Sequence, residues 1–350
     1  MRYHELSLAA QTAYSELAEQ TRLFELDGAL EGLTGSFHKL DRKGHGYWYF
    51  AYRDLGQKLR MLYVGPDSTR VRVLVERFAS SRGKRPLRPQ ARAALALGCT
   101  GATPKHFRIV KRLADHGFFR AGGVLVGTHA FVALGNVLGV RWLDGASTLD
   151  VDLAHAASNL AVALPADFEA DVRGALESLE MGLLPITQLD GSPGPQYRNP
   201  RDRELRLDFV TSRVRGDRPV TVKNLHVAFQ PLKFMEFSLE GTTQGCLLGQ
   251  SGACTVNLPA PERYAVHKLV VYGERPVAQR TKANKDLLQV AALADHFVRA
   301  GQAGVFNEAW RDALSRGRGW RSRALAGLRA LRVVAPDVDL PELWASSSLC

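Results

Sequence analysis

Two carboxylates one residue apart, Asp150 and Asp152 in STLDVDLA, are the first feature of this 350-residue chain that suggests chemistry. They alternate with apolar Leu149, Val151 and Leu153. That is the period of a strand buried on one side, so both acids project to the same face. Neighbouring carboxylates repel and raise each other's pKa unless a cation lies between them. Hard oxygen donors of this kind suit Mg2+. A third carboxylate, Asp208, stands in ELRLDFVTS, where Leu205, Leu207 and Phe209 again mark a one-sided strand.

Upstream of the pair, VLVGTHAFVALGNVLGV reads as an apolar strand, a Gly127-Thr128 turn and a helix. Gly127 lets the backbone approach a phosphate closely, because no side chain is in the way. The first N–H groups of the following helix would face a triphosphate, helped by the helix dipole. Thr128 would add a hydroxyl. A lone DxD or Gly-Thr says little. The order strand, Gly-Thr, helix, strand, DxD, strand, Asp is far more specific.

That order resembles the DNA polymerase β-like nucleotidyltransferase superfamily, whose motif is a hydrophobic residue, Gly and a small residue, then DxD and a later Asp. GNVLGVRW, STLDVDLA, LRLDFVTS, PERYAVHKLVVYGERP and KANKDLLQVAAL are similar to blocks of a bacterial nucleotidyltransferase-fold family, over roughly 100–300. The chain also resembles abortive-infection and MenT-like toxin nucleotidyltransferases, which join this core to a helical C-terminal part. The resemblance implies that Gly127 and Thr128 form the phosphate turn, and that Asp150, Asp152 and Asp208 hold metal and are catalytic. It further implies that Lys268 contacts nucleotide phosphates and that Lys285 and Asp286 line the nucleotide site. Thr at 128 is a less usual occupant than Ser. From the residues alone, Lys268 sits among Tyr264, Val266, Leu269 and Val270, either for a purpose or as a lysine reaching outward to solvent.

The implied reaction is attack by an acceptor hydroxyl on the α-phosphate of an NTP, with release of pyrophosphate. Two Mg2+ ions would be shared by Asp150 and Asp152. Asp208 would serve the acceptor side and help deprotonate the hydroxyl. Lys268 and Lys285 would neutralise the β- and γ-phosphates, and Asp286 would orient Lys285, the base or the ribose. The expected acceptor is RNA of the tRNA kind, in a toxin or defence-type role. The alternatives are a protein hydroxyl on a partner or antitoxin, a small molecule, or a non-catalytic nucleic-acid-binding module on the same fold. His129 and His267 are expected to be structural, with His267 facing away from the site. Arg263, Arg275 and Arg280 are further phosphate contacts to consider.

These residues need an α/β framework, and the chain supplies one. At 45% hydrophobic and 23% charged, with no low-complexity tract, it is an ordinary globular sequence without a long disordered segment. The expected class is α+β: a polymerase β-like mixed sheet with flanking helices at 91–258, an N-terminal helix and β-hairpin region at 1–90, and a helical domain at 259–350. Helical periodicity predicts helices over 4–24, 67–80, 104–119 and 167–180, and over 261–273, 282–300, 304–315 and 320–332. Strands are expected at 123–126, 148–153 and 204–211. GYWYFAYRDLGQKLRMLYVG is expected to form a hairpin turning at Asp54-Leu55-Gly56, with residues 80–90 as a loop. Its aromatic run, Tyr47 to Phe50 and Tyr52, serves either to stack bases or as the core and half-exposed face of a small sheet.

The net charge of +11 is uneven. Residues 81–120 carry ten Lys or Arg against Asp115, and 311–332 carry seven Arg against Asp312. Such clusters attract polyanions by counterion release, or form solvated faces. The start has no apolar core of the signal-peptide kind. Gly122–Val140 is long enough for a membrane span, but five glycines with Thr128, His129 and Asn136 favour a buried strand and helix. Cys99, Cys246, Cys254 and Cys350 show no metal-binding spacing, as expected of a protein in a reducing cytoplasm.

Overall fold

The computed structural model describes residues 2–31, 35–42, 44–53, 59–81, 87–156, 170–188, 191–212, 216–276 and 283–347. The expected turn at 54–56, the middle of the loop at 80–90, Arg280 and Cys350 lie outside them. The chain forms two compact units, one of residues 1–18 with 88–350 and one of residues 19–87.

In the larger unit, β1 (Tyr3–Glu5) leads into α1 (Leu8–Glu31), whose later part belongs to the other unit. The expected 4–24 helix therefore starts later, because Tyr3 to Glu5 pair antiparallel with β6 (Val140–Trp142). A three-residue strand whose partner lies far along the chain leaves no local trace in sequence.

The smaller unit holds β2 (Gly35–Arg42), β3 (His45–Arg53) and β4 (Leu59–Pro66), in the antiparallel order β2-β3-β4, followed by α2 (Thr69–Ser81). The expected hairpin is thus two strands of three. The mixed sequence of β2, with Gly, Ser, His, Lys and Asp, lacks the apolar alternation that would have announced it.

The larger unit continues with α3 (Arg88–Ala96) and α4 (Pro104–Asp115). Thr103 caps α4 by accepting from His106 N, and Pro104 opens it. β5 (Gly123–Val126) then passes into α5 (Gly127–Val137). The uncharged 122–140 stretch is therefore a short strand, a helix and the start of β6. Among the described residues, no helix is long and apolar enough to cross a membrane.

The sheet that carries the acids contains β7 (Asp150–His155), with α6 (Val172–Glu177) after it, β8 (Leu184–Thr187), β9 (Pro193–Asn199) and β10 (Asp202–Ser212). β11 (Val220–Val222) and β12 (Val227–Leu232) complete it. The path is β11-β12-β10-β7-β5, with β9 also pairing β10 and β8. β12, β10 and β7 run parallel and β5 antiparallel. Val151, Leu153, Leu207 and Phe209 are fully buried in the main core on one side of this sheet. On the other side Val124, Val126, Ala154 and Val210 meet Met235 and Leu239 of α7 (Met235–Leu239).

The hairpin of β13 (Thr242–Gly249) and β14 (Gly252–Pro259) leads into the C-terminal helices. These are α8 (Pro261–Glu274), α9 (Asn284–Arg299), α10 (Ala303–Ser315), α11 (Arg318–Val334) and α12 (Glu342–Ser347). The last was not expected. It is held by Trp344, fully buried against Phe306 and Trp310. α8 and α11 touch backbone to backbone: a Cβ at Gly273 would strike Arg323 O, and one at Gly327 would strike Leu269 O. This crossing fixes the helix that carries Lys268.

Candidate active site

The β5–α5 turn and the acidic strand are built against each other. Gly127 has φ +62°, and a Cβ there would overlap Asp152 Oδ2. An alanine is excluded twice, by backbone conformation and by the carboxylate that takes its place. Val126, the N-cap of α5, offers no side-chain cap, and the first turn of α5 carries no acid. Its leading N–H groups are therefore left for an anion, and the helix dipole favours one.

In the β7–β10 ladder Arg206 lies opposite Asp150, and Asp208 lies opposite Asp152. Matched residues of adjacent strands share a face, so three acids and one arginine stand together. Burial, then Asp208 and Asp150, push the Asp152 carboxyl up to about 6. Burial also raises Asp208, although Arg206 Nε, 2.9 Å from Asp208 Oδ2, works against this. Arg206 was not among the expected site residues, although it stands two residues before Asp208 and so on the same face. Among the described residues, no three His, Cys, Asp or Glu side chains converge as a ready metal cage. The chemistry of the donor set nevertheless fits a hard dication, because proton uptake by Asp152 marks negative charge that a cation would relieve.

The opposite wall is helical. Lys268 Nζ lies 2.5 Å from Asp286 Oδ1, and Arg275 Nη2 lies 3.1 Å from Asp286 Oδ2. Burial opposes ionisation of Asp286, yet Lys268, Arg275 and Lys285 hold its carboxyl below the ordinary range. Asp286 therefore holds Lys268 and Arg275, a pairing that was not expected beside its role toward Lys285, the base or the ribose. Lys285 Nζ approaches only Ser147 O, at 3.4 Å, and has no ion pair among the described residues. Lys233 Nζ lies 2.6 Å from Glu274 Oε1.

Behind the Gly-Thr turn lies a buried polar network that the sequence did not announce. The Tyr264 hydroxyl is 2.9 Å from Gly127 O and 2.8 Å from Gln289 Oε1, so its one proton serves one of the two. Gln289, with no exposed surface, donates from Nε2 to Gly145 O at 2.6 Å and approaches Thr128 Oγ1 at 3.4 Å. Burial lifts the Tyr264 phenol well above its ordinary value and keeps it neutral. These residues tie α8 and α9 to the turn. A Tyr and a Gln on otherwise apolar helix faces were the only available signal.

His267 lines the cleft, contrary to the expected orientation, but its Nδ1 donates to Phe234 O at 3.0 Å and burial pushes its pKa down to about 4. His129 is packed, as expected. Its Nε2 lies 3.1 Å from His106 Nδ1, and burial pushes it down to about 3. Arg263 is removed from the phosphate set, because it pairs with Glu240 and Asp312 and lies over the Phe237 ring.

Gly127, Thr128, Asp150, Asp152, Lys268, Arg275, Lys285 and Asp286 all line one cleft of about 670 Å3, a volume typical of small-ligand sites. Asp208 is not among the residues that line it and joins the group through its register with Asp152. No curated protein and no solved structure is significantly similar to the chain. The sequence profile of a family described as Nucleotidyltransferase does match, over residues 105–315, which contain every one of these positions and exclude the unit of 19–87. With more than half of its length so matched and a cleft that joins a glycine turn to carboxylates and lysines, this chain belongs to the nucleotidyltransferase family and is a nucleotidyltransferase enzyme.

Proposed function

We infer that this cleft transfers a nucleoside monophosphate from an NTP to a hydroxyl at an RNA end, on a core of the polymerase β-like kind. The observation that carries the reading is the packing of the Asp152 carboxylate into the space a Gly127 side chain would fill. It brings the phosphate turn and the acidic strand into direct contact.

Asp150 and Asp152 would hold Mg2+, with Asp208 completing the set. The metal would supply Lewis-acid neutralisation of phosphate charge. The N–H groups opening α5 would receive phosphate oxygens. Lys268, fixed by Asp286, and Lys285, which has no ion pair among the described residues, both line the cleft and would meet the outer phosphates. The raised Asp208 carboxyl suits it to take the proton of the attacking hydroxyl.

RNA is favoured as the acceptor by the distribution of cations. Arg316 and Arg323 are engaged by Glu240, Asp312 and Glu274 and are structural. Arg311, Arg318, Arg321, Arg329 and Arg332 remain exposed. A toxin or defence-type role, like that of the abortive-infection enzymes the sequence resembles, goes with this acceptor. The test is incubation with each of four α-labelled NTPs, Mg2+, total RNA and cell protein. Label on RNA that Asp150→Asn abolishes supports the reading. Label only on protein would replace the acceptor, and transfer undiminished in Asp150→Asn would overturn the site.

A further inference from the structure

The family match leaves the unit of residues 19–87 unexplained, and its sheet is two-faced. On one face Phe37 packs on Phe50 at 4.9 Å between ring centroids, and Phe50 is buried. The carboxylates lie here too. Trp48 Nε1 donates to Asp67 Oδ1 at 3.0 Å, Lys39 and Arg72 bind Asp67, and a Cβ at Gly46 would touch both Asp41 and Lys39.

The other face follows from the same registers. It carries Tyr47 and Tyr49 of β3, Tyr63 opposite Tyr49 on β4, and Arg42 opposite His45 at the end of β2. These five residues line a recess of about 520 Å3. Tyr63 is 52% exposed, and its ring lies 5.4 Å from that of Tyr49 and 6.2 Å from that of Tyr47, tilted to both. Among the described sheet residues, none that the registers put on this face is acidic. The whole unit carries thirteen Lys and Arg against eight Asp and Glu. Three clustered phenol rings, with an arginine and a histidine at one end and the carboxylates of the described sheet residues on the opposite face, form a surface complementary to an anion with flat, apolar parts.

We propose that this face binds single-stranded RNA, with bases stacked on Tyr47, Tyr49 and Tyr63 and phosphate held by Arg42 and His45. Aromatic rings accept any base by its π-face, and the cations follow the backbone. Exposed Leu40, Leu59 and Met61 share this face, but the recess itself is lined by the three rings, Arg42 and His45, a lining that favours bases. As the docking site of the acceptor, the face rests on the transfer reading above, whereas RNA binding in itself does not.

The test is anisotropy of a labelled, unstructured RNA of about twelve nucleotides with the full chain, over a range of salt. Tyr49→Ala/Tyr63→Ala is expected to weaken binding about tenfold or more, while Tyr49→Phe/Tyr63→Phe keeps it. Arg42→Ala is expected to flatten the salt dependence. The assay contains neither NTP nor Mg2+ and reads binding alone, so failure of the transfer reading leaves it standing. Unchanged affinity in the folded double alanine variant would overturn the proposal. So would tighter binding of the same sequence as DNA. Self-association without RNA affinity, abolished by the same substitutions, would reassign the face to a protein contact.

Discussion

The two walls of the cleft handle charge in opposite ways. On the sheet wall Asp150 and Asp152 share a face with Asp208 in register beside Asp152, and burial, then the neighbouring acids, keep the Asp152 proton up to about 6. On the helical wall Asp286 is clamped by Lys268 and Arg275 and stays ionised below the ordinary range. One wall is frustrated without a cation, whereas the other is satisfied before substrate arrives. Under the proposed reading the sheet side would take a cationic guest, whereas the helix side is already preorganised.

The sharpest way to break this contrast is Asp152→Asn. Transfer should fall by about a thousandfold, as expected when charge stabilisation at the reacting centre is removed. The ligand-free variant should nonetheless melt higher than the parent at pH 8, because a buried repulsive carboxylate is gone. Single-turnover transfer and thermal melts read the two effects together. A melt that drops would show that the sheet wall is not frustrated.

Gly127→Ala should cost about a hundredfold in transfer by driving a methyl group into Asp152. On the helical wall, Asp286→Ala leaves two cations facing each other in a buried setting. It should destabilise the fold by about 3 kcal/mol and lower transfer by tens-fold. Lys285→Ala removes a cation with no ion pair among the described residues, so KM for the NTP should rise about tenfold with little change in Tm. Equal stability losses at 285 and 286 would erase the distinction between a free and a clamped charge.

The smallest effect is in pH dependence. The folded chain keeps the Asp152 proton to about pH 6, whereas an unfolded carboxyl releases it near 4. The folded state therefore binds more protons in that window, and this carboxyl lowers stability as pH rises through it. Mg2+ should add only slightly to Tm at pH 5 and by several degrees at pH 7.5, which calorimetry at both pH values checks.

The site and the fold were unequally legible. The strands of Asp150–Asp152 and Asp208 were readable because a one-sided strand writes its burial as alternation, and β10 does so over Leu205, Leu207 and Phe209. Helices α8 to α11 were readable for the same reason at helical period. β1, β2 and α12 were not, because a three-residue strand, a polar strand and a six-residue helix owe their form to distant partners.

The sequence by itself determined that Gly127-Thr128 joins an apolar strand to a helix, that Asp150 and Asp152 share one face of their strand and that Asp208 lies opposite the buried face of its own, since local periodicity fixes all three. That Asp208 faces with the pair was decided by the β7–β10 register. Only the tertiary structure decided that Asp286 belongs to Lys268, that Arg206 shares Asp208, that Tyr264 and Gln289 brace the turn, and that His267 is tied to Phe234. Each depends on which side chains meet across elements far apart in the chain. Pairing of buried charges is settled by packing and by the cost of leaving one alone, and a linear pattern does not record this.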